Sequence, residues 1–400
     1  MKRGINVYNE IKSLKKVILY RPGNELLNVL PSNLDDYNFK DIPDLEKIQK
    51  EHDSFANLLR QEGVDVVYLI DLIVDCLSIN TNIKEKFIKQ FIKETGIKID
   101  FISKEVYKFL IKIEDTRKLV IKCIEGIRYS ELNTSVNGFF RQNNIDDLVI
   151  KPLANMFNLH NQITFIGDKV VFTSNKESKI HRETIFLEYI FKYHPKYKDY
   201  KLYNERYNNN FISTSDLLVV NNEVVLIGLS TKTEPMSVTN LANKILNEKK
   251  FKYIIVIDIA SKNLSLDSMI SMIDYDKFVI NTDLVDISNI YELALHNDSL
   301  VISSLHMSLE NVLEKYLHLN KINLIKCGNG DYYDSKREQH HKAANILCIK
   351  PNVVLVYGIN KITNEQLKLN GIKVIELNTS EFLKGTGGLH NMTVPLVREN

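Results

Sequence analysis

Apolar positions along this chain follow two alternating periods. Lys16 to Tyr20 reads as a strand closed by the Pro22-Gly23 turn. Leu45 to Glu62 has the spacing of an amphipathic helix stopped at Gly63, and Val64 to Leu69 is a Val-rich β run. From about 72 to 148 the period is helical throughout. Ile83, Phe87, Ile88, Phe91 and Ile92 form one stripe ended by Gly96. Ser103 is placed to cap a helix carrying Val106, Phe109, Leu110 and Ile113, and Leu119, Val120, Cys123, Ile124 and Ile127 make a third face. Short β runs return from 149 onward with helices between them, as at Lys169–Thr173, Val224–Leu229, Tyr253–Ile259, Phe278–Ile280 and Val353–Tyr357. The pattern predicts an α/β chain with a faint internal repeat, begun over 1–71, interrupted by a helical bundle over 72–148, and resumed over 149–400.

Composition narrows the partners. At 400 residues the chain exceeds the usual single core, which agrees with one large domain carrying an insertion. Lys and Arg number 52 against 50 Asp and Glu, so no electrostatic case exists for nucleic acid or a membrane surface. The four cysteines (Cys76, Cys123, Cys327 and Cys348) lie in or beside apolar runs without paired spacing and read as reduced, buried thiols. No apolar run spans a bilayer and no signal-peptide core is present, so a soluble cytoplasmic protein is expected.

Two ends of the sequence carry a family likeness. Leu383 to Glu399 reads Leu-Lys-Gly-Thr-Gly-Gly-Leu-His-Asn-Met-Thr-Val-Pro-Leu-Val-Arg-Glu, and Ile11 to Leu26 carries a strand followed by Arg21-Pro22-Gly23. With Asp41-Ile42-Pro43, Glu51-His52-Asp53, Ser271–Phe278, Arg337-Glu338-Gln339, Asn345–Pro351 and Thr363-Asn364-Glu365 in order between them, the chain resembles the arginine deiminases along nearly its whole length. Those enzymes convert L-arginine to L-citrulline and ammonia. The resemblance implies a pentein fold, a five-bladed α/β propeller of ββαβ-type units with the active site at its centre and the helical bundle inserted.

Hydrolysis of a guanidinium by this family uses a thiolate nucleophile, a histidine to move protons, carboxylates to pair the planar cation, and arginines to clamp the substrate carboxylate. On the alignment this resemblance implies, Asn391 stands at the cysteine and Ser265 at the histidine. Ser213 stands at the glutamate and Asn161 at one aspartate, with His160 at the arginine before it. Asn155, Asp216 and Asp267 are kept, Lys232 stands at a clamp arginine, Thr386 at another, and the third falls near Ile180. Against Asn161 and Ser213 a buried guanidinium would keep most of its charge uncompensated, at a cost of at least several kcal/mol. The expectation is therefore a homologue that has lost arginine hydrolysis, with a regulatory, scaffolding or ligand-binding role. The ligand-binding set is Asn155, Asp216, Lys232, Asp267 and His390, for an arginine-like molecule. A homo- or hetero-oligomer is expected, with an active arginine deiminase paralogue as a candidate partner. The alternative is a hydrolase or other enzyme on arginine-like substrates with an unconventional residue set.

The remaining candidates read as structure. His390 beside Asn391 reads as a loop-packing residue more than a catalytic one. Glu51-His52-Asp53 and His340-His341 hold neighbouring residues that point apart on a helix, so neither chelates one ion. Gly328-Asn329-Gly330-Asp331 lacks the Gly-Lys-Ser of a phosphate loop and reads as a turn. No cofactor and no metal ion is expected.

Overall fold

The computed structural model describes residues 4–132, 148–174, 178–207, 211–260, 264–285, 289–385 and 387–399. One strand arrangement occurs five times within them. Two strands run antiparallel, and the second takes a parallel strand on its other side. Val394–Arg398 pairs with Leu14–Leu19, which takes Asp65–Tyr68 in parallel. Ile163–Ile166 pairs with Lys169–Phe172, whose Val170 bridges in parallel to Leu202. Leu217–Val219, Val224–Leu229 and Tyr253–Asp258 repeat the pattern, followed by Ile270–Met272, Lys277–Ile280 and Asn323–Lys326, and then Leu347–Lys350, Val353–Tyr357 and Lys373–Leu377.

A parallel pair needs a crossover connection, and each unit supplies a helix there. These are Leu45–Gln61, Ser178–Tyr193, Pro235–Asn247, Leu309–Leu317 and Lys361–Leu369. Their starts are written locally. The Asp44 carboxylate accepts from Lys47 N, Ser308 Oγ accepts from Asn311 N, and Pro235 occupies the first turn where its missing N–H costs nothing. The hairpin Ile290–His296 and Ser299–Leu305 extends the third unit's sheet to five strands. None of the sheets closes on itself among the described residues.

Four helices fill the segment after the first unit: Leu69–Leu77, Thr81–Glu94, Asp100–Ile111 and Thr116–Glu125. Leu69, expected to end a strand, begins the first of them. Ser103 lies inside the third helix, which starts at Asp100. A strand was not expected in this stretch, yet Ile127 pairs with Ile150. Gly126 turns the chain out of the helix at φ +88, and a Cβ there would lie 2.5 Å from the Ile150 carbonyl oxygen. Phe87 packs against Phe186 and Tyr189, at centroid distances of 5.4 and 5.2 Å, joining these helices to Ser178–Tyr193. Beside them the buried Arg206 guanidinium bridges Glu94, at 2.7 Å, and Glu188. No helix among the described residues is long and apolar enough to cross a membrane.

The five units share a further feature. The residues entering each first strand turn inward: Leu159–Asn161 before Ile163, Thr214–Asp216 before Leu217, Leu266–Ser268 before Ile270, Asn345 before Leu347, and His390 to Thr393 before Val394. The first three are single 3-10 turns, too short to bury their backbone groups in a ladder of their own. Those groups are satisfied by one another.

Candidate active site

Hydrogen bonds link the five entering segments in a closed circuit. Thr214 Oγ1 donates to the His160 carbonyl. Leu266 N donates to Asp216 Oδ1 at 2.9 Å. Asn345 Nδ2 donates to the Asp267 carbonyl at 2.9 Å, while Asn345 Oδ1 accepts from His390 N at 3.1 Å and Asn391 N at 3.3 Å. His160 N closes the ring by donating to the Asn391 carbonyl at 2.9 Å. Gly388 gives this circuit room, since a Cβ there would fall 2.2 Å from Asn345 Oδ1.

Inside the ring lie two imidazoles and two carboxylates. His160, Asp267 and His390 are all buried, and one ligand atom from each lies within 4.8 Å of the other two. The rings of His160 and His390 are 4.3 Å apart. His390 faces a carboxylate at each nitrogen, with Asp267 3.9 Å from Nδ1 and Glu10 3.5 Å from Nε2. Glu10 comes from the segment before the first strand and is also buried.

The charges follow from this packing. Burial alone would push the His390 imidazole down, but Asp267 and Glu10 outweigh it and raise it to about 9. Burial lowers His160 to about 4, helped by the positive charge of His390. Burial raises the Glu10 carboxyl, yet His390 prevails and holds it down at about 2. Asp267 is likewise lowered overall, because His390 and then His160 overcome the burial that raises it. At neutral pH the centre therefore holds two carboxylates, one imidazolium and one neutral imidazole.

Most of the residues singled out from the sequence meet here. Asn391 Nδ2 donates to Asp267 Oδ2 and to Asn161 Oδ1, the latter at 3.0 Å, and Asn391 Oδ1 accepts from Gly388 N. Ser265 Oγ donates to Asp267 Oδ1 at 2.6 Å, and Ser215 Oγ to Asn161 Oδ1 at 2.5 Å. Asp216 has a strut's environment. It accepts from Ser230 and Thr233 hydroxyls, each at 2.6 Å, besides Leu266 N, and burial raises it to about 6 against those bonds. Ser213 is buried next to it, its N–H donating to Thr233 Oγ1. Asn155 Nδ2 donates to the Tyr37 carbonyl at 2.7 Å, and its buried Oδ1 has no hydrogen-bond partner among the described residues. Lys232 is exposed, with its charge felt at Lys342, which also lies close enough to feel Asp267 and Lys40. Near Ile180, the buried Arg182 donates to the Lys151 carbonyl. Thr386 lies outside the described residues.

Sequence reasoning missed Glu10, Asn345 and Lys342, and did not combine His160 with His390. No local spacing signals them, because the cluster is assembled from positions 10, 160, 267, 345 and 390 on different units. The cysteines are buried as expected. Burial raises Cys76 and Cys348 to about 12 and lifts Cys123 and Cys327 further still. Cys348 Sγ faces the carbonyls of Ile11, Ile273 and Lys350. No thiol joins the central cluster. His52, read as part of a helix surface, is buried, with no hydrogen-bond partner among the described residues, and burial lowers it to about 4.

Units of this topology around a buried polar centre define a pentein-like α/β protein. Solved structures agree. A dimethylarginine dimethylaminohydrolase superposes with a TM-score of 0.53 at 14% identity, covering 95% of this chain and 99% of its own. An amidinotransferase of saxitoxin biosynthesis from Microseira wollei gives 0.55 at 13% identity, covering 99% and 98%.

Within that class the chain belongs to the arginine deiminase family, whose profile, described as arginine deiminase, matches residues 35–398. It is 38% identical over 406 residues to the arginine deiminase of Treponema denticola, covering 99% of each chain. It is 34% identical over 409 residues to that of Clostridium perfringens, covering 100% of this chain and 99% of the other. The expectation of a homologue that has lost arginine hydrolysis is corrected by these matches, because identity at this level runs the whole length of proteins named for the activity. That expectation rested on the premise that hydrolysis needs this family's thiolate, whereas a side chain that takes a proton from water offers another route to a nucleophile.

Proposed function

We propose that this chain hydrolyses the guanidino group of L-arginine or a close analogue with an unconventional residue set, water taking the place of a thiolate. The observation that carries the reading is the buried convergence of Asp267, Glu10, His160 and His390. A guanidinium is a planar, permanent cation, and a centre with net negative charge is what its burial requires. Asp267 and Glu10 against one imidazolium leave one negative charge in surplus. The 34–38% identity to arginine deiminases supports the same substrate.

The overall change is balanced. Water forms the new C–O bond, a C–N bond breaks, and both water protons finish on the departing nitrogen, which leaves as ammonium with a ureido product behind. In this reading Asp267 and Glu10 supply the negative charge that the substrate cation needs, and the imidazoles hold the attacking water. Asn391 and Ser265 orient Asp267 through the hydrogen bonds they donate to it. Lys342, close enough to feel Asp267, and Lys232, whose charge reaches Lys342, are taken as point charges for the substrate carboxylate. The five units are taken as blades of a propeller around this centre, with residues 72–148 as an inserted helical bundle.

Incubation with L-arginine, scored for ureido product and ammonium, tests the proposal. Equal, enzyme-dependent release of both is expected. No product from L-arginine or from other guanidino amino acids, at stoichiometric enzyme and long times, would sink it.

A further inference from the structure

We propose that His160, Asp267 and His390 form a binding site for a divalent first-row transition ion of zinc-like preference, which holds the water nucleophile. The ion site stands on the cluster alone, and its role toward water rests on the function proposed above.

Three observations converge on it. The donor set, two imidazoles and one carboxylate with atoms within 4.8 Å of one another, is the set that binds such ions while leaving a coordination position for water. Metal–ligand bonds of about 2.0–2.2 Å would need only a modest inward shift of these side chains. Next, both ring nitrogens of His160 and of His390 are buried without a hydrogen-bond partner among the described residues. The rings are in contact, and His160 is the costlier of the two, since it is neutral while His390 has a carboxylate facing each nitrogen. An ion would satisfy one nitrogen of His160 and replace the proton on the ligating nitrogen of His390.

The last observation is the environment of the donors. His390 presents Nδ1 toward Asp267, and its other nitrogen, Nε2, faces the Glu10 carboxylate at 3.5 Å. A carboxylate behind a histidine ligand fixes the tautomer and makes the ligating nitrogen more basic. Asp267 is held in the same way, with Ser265 and Asn391 donating to its two oxygens. A carboxylate oxygen accepting one hydrogen bond keeps a lone pair for a cation. Glu10, Ser265 and Asn391 are positioning residues in this arrangement. A water on the ion loses a proton far more readily than bulk water, which supplies the hydroxide that attacks the guanidinium carbon.

The test uses the full chain, stripped with a chelator and then titrated with Co2+ and, separately, Zn2+. Co2+ is followed by its visible absorption and Zn2+ by calorimetry, and L-arginine hydrolysis is assayed on the same samples. One ion per chain is expected. Uptake should be lost in His160→Ala and His390→Ala and weakened about 10–100-fold in Glu10→Gln, a change small enough to leave the fold intact. Lack of uptake by the folded wild-type chain overturns the site, as does uptake that all three variants leave unchanged. Full hydrolysis by the stripped chain overturns the role given to the ion while leaving the proposed function standing. Stoichiometric uptake without hydrolysis supports the site and removes the proposed function instead.

Discussion

His160 and His390 are brought to a ring separation of 4.3 Å by two loops that are 230 positions apart in the chain and joined by the His160 N to Asn391 O hydrogen bond. That backbone link makes the distance between the imidazoles a property of the scaffold. It also places Asp267 within reach of both, so that one carboxylate serves both histidines and any cation between them.

Asp267 is accordingly the residue whose charge is hardest to replace. In Asp267→Asn the volume stays and one acceptor oxygen becomes a donor facing Asn391 Nδ2. The expected outcome is a fall in kcat/KM for L-arginine of at least about 100-fold, the usual scale for removing a group that acts in proton transfer or pairs the reacting cation. Steady-state kinetics on protein shown folded by circular dichroism checks it. Kinetics within threefold of wild type would remove Asp267 from the chemistry.

Asn345 holds the ring through three side-chain bonds, each of them to a backbone group. Asn345→Ala leaves two buried N–H groups and one carbonyl unpaired, a cost on the order of 2–4 kcal/mol. Gly388→Ala should have a related effect, because its Cβ would displace the Asn345 amide. Urea unfolding measures both. Loss of stability below about 1 kcal/mol for Asn345→Ala would mean that the circuit is dispensable.

How much of this was legible in the sequence differs by element. Val224–Leu229 and Val353–Tyr357 were readable to the residue, because short Val-rich apolar runs bounded by polar residues or glycine favour a buried strand. The helix from Leu45 was readable because its apolar spacing stops at Gly63, and the structure adds the cap at Asp44. The strand at Ile127 was not, since its pairing partner lies more than twenty residues on and its own apolar spacing continues that of the helix before it. Asn391, Ser265 and Asn161 were located by family likeness, and the structure joins all three to Asp267 directly or through Asn391. What they act on together was hidden. Glu10 belongs to no motif and His160 was read only as a replaced arginine, and only closure of the five loops sets them beside His390. Judging chemistry from the replaced letters alone therefore pointed to loss of function, where the assembled cluster points to a different nucleophile.

That difference has a direct chemical check. A thiolate enzyme is silenced by alkylation, whereas here every thiol is buried and its ionisation suppressed. Iodoacetamide treatment of the folded protein at neutral pH should leave L-arginine turnover within twofold of the untreated sample, with mass spectrometry showing unmodified cysteines. Rapid inactivation tracking one alkylated cysteine would restore a thiolate mechanism.

Glu25 predicts a pH dependence away from the site. Burial raises its carboxyl from the ordinary 4.5 to about 7, only partly offset by the Gly23 N–H it accepts at 2.7 Å. Below the unfolded value both states hold the proton and the group contributes nothing. As pH rises from about 4.5 to about 7 the unfolded chain releases the proton first, so folding loses stability, reaching about 3 kcal/mol above pH 7. Glu25→Gln keeps the acceptor oxygen and removes the titration. It should match wild type near pH 4 and exceed it in stability above pH 7, and equal denaturant midpoints at both ends would refute the assignment.

Arg206 offers the sharpest test of how the helical segment is held. Its guanidinium is buried between Glu94, on the helix Thr81–Glu94, and Glu188, on the crossover helix of the second unit. Removing one partner of a buried ion pair strands the others, so Arg206→Ala should cost about 3–5 kcal/mol. Because the two carboxylates belong to different elements, the damage should be local. Hydrogen exchange should quicken across Thr81–Glu94 and Asp100–Ile111 while the strands Val224–Leu229 and Tyr253–Asp258 keep their protection. Adding Glu94→Gln and Glu188→Gln to the alanine variant should recover part of the loss, since no charge is then left buried alone. Uniform loss of protection over all of these elements would show instead that the helices and the sheets unfold as one unit, and that Arg206 stabilises the whole fold.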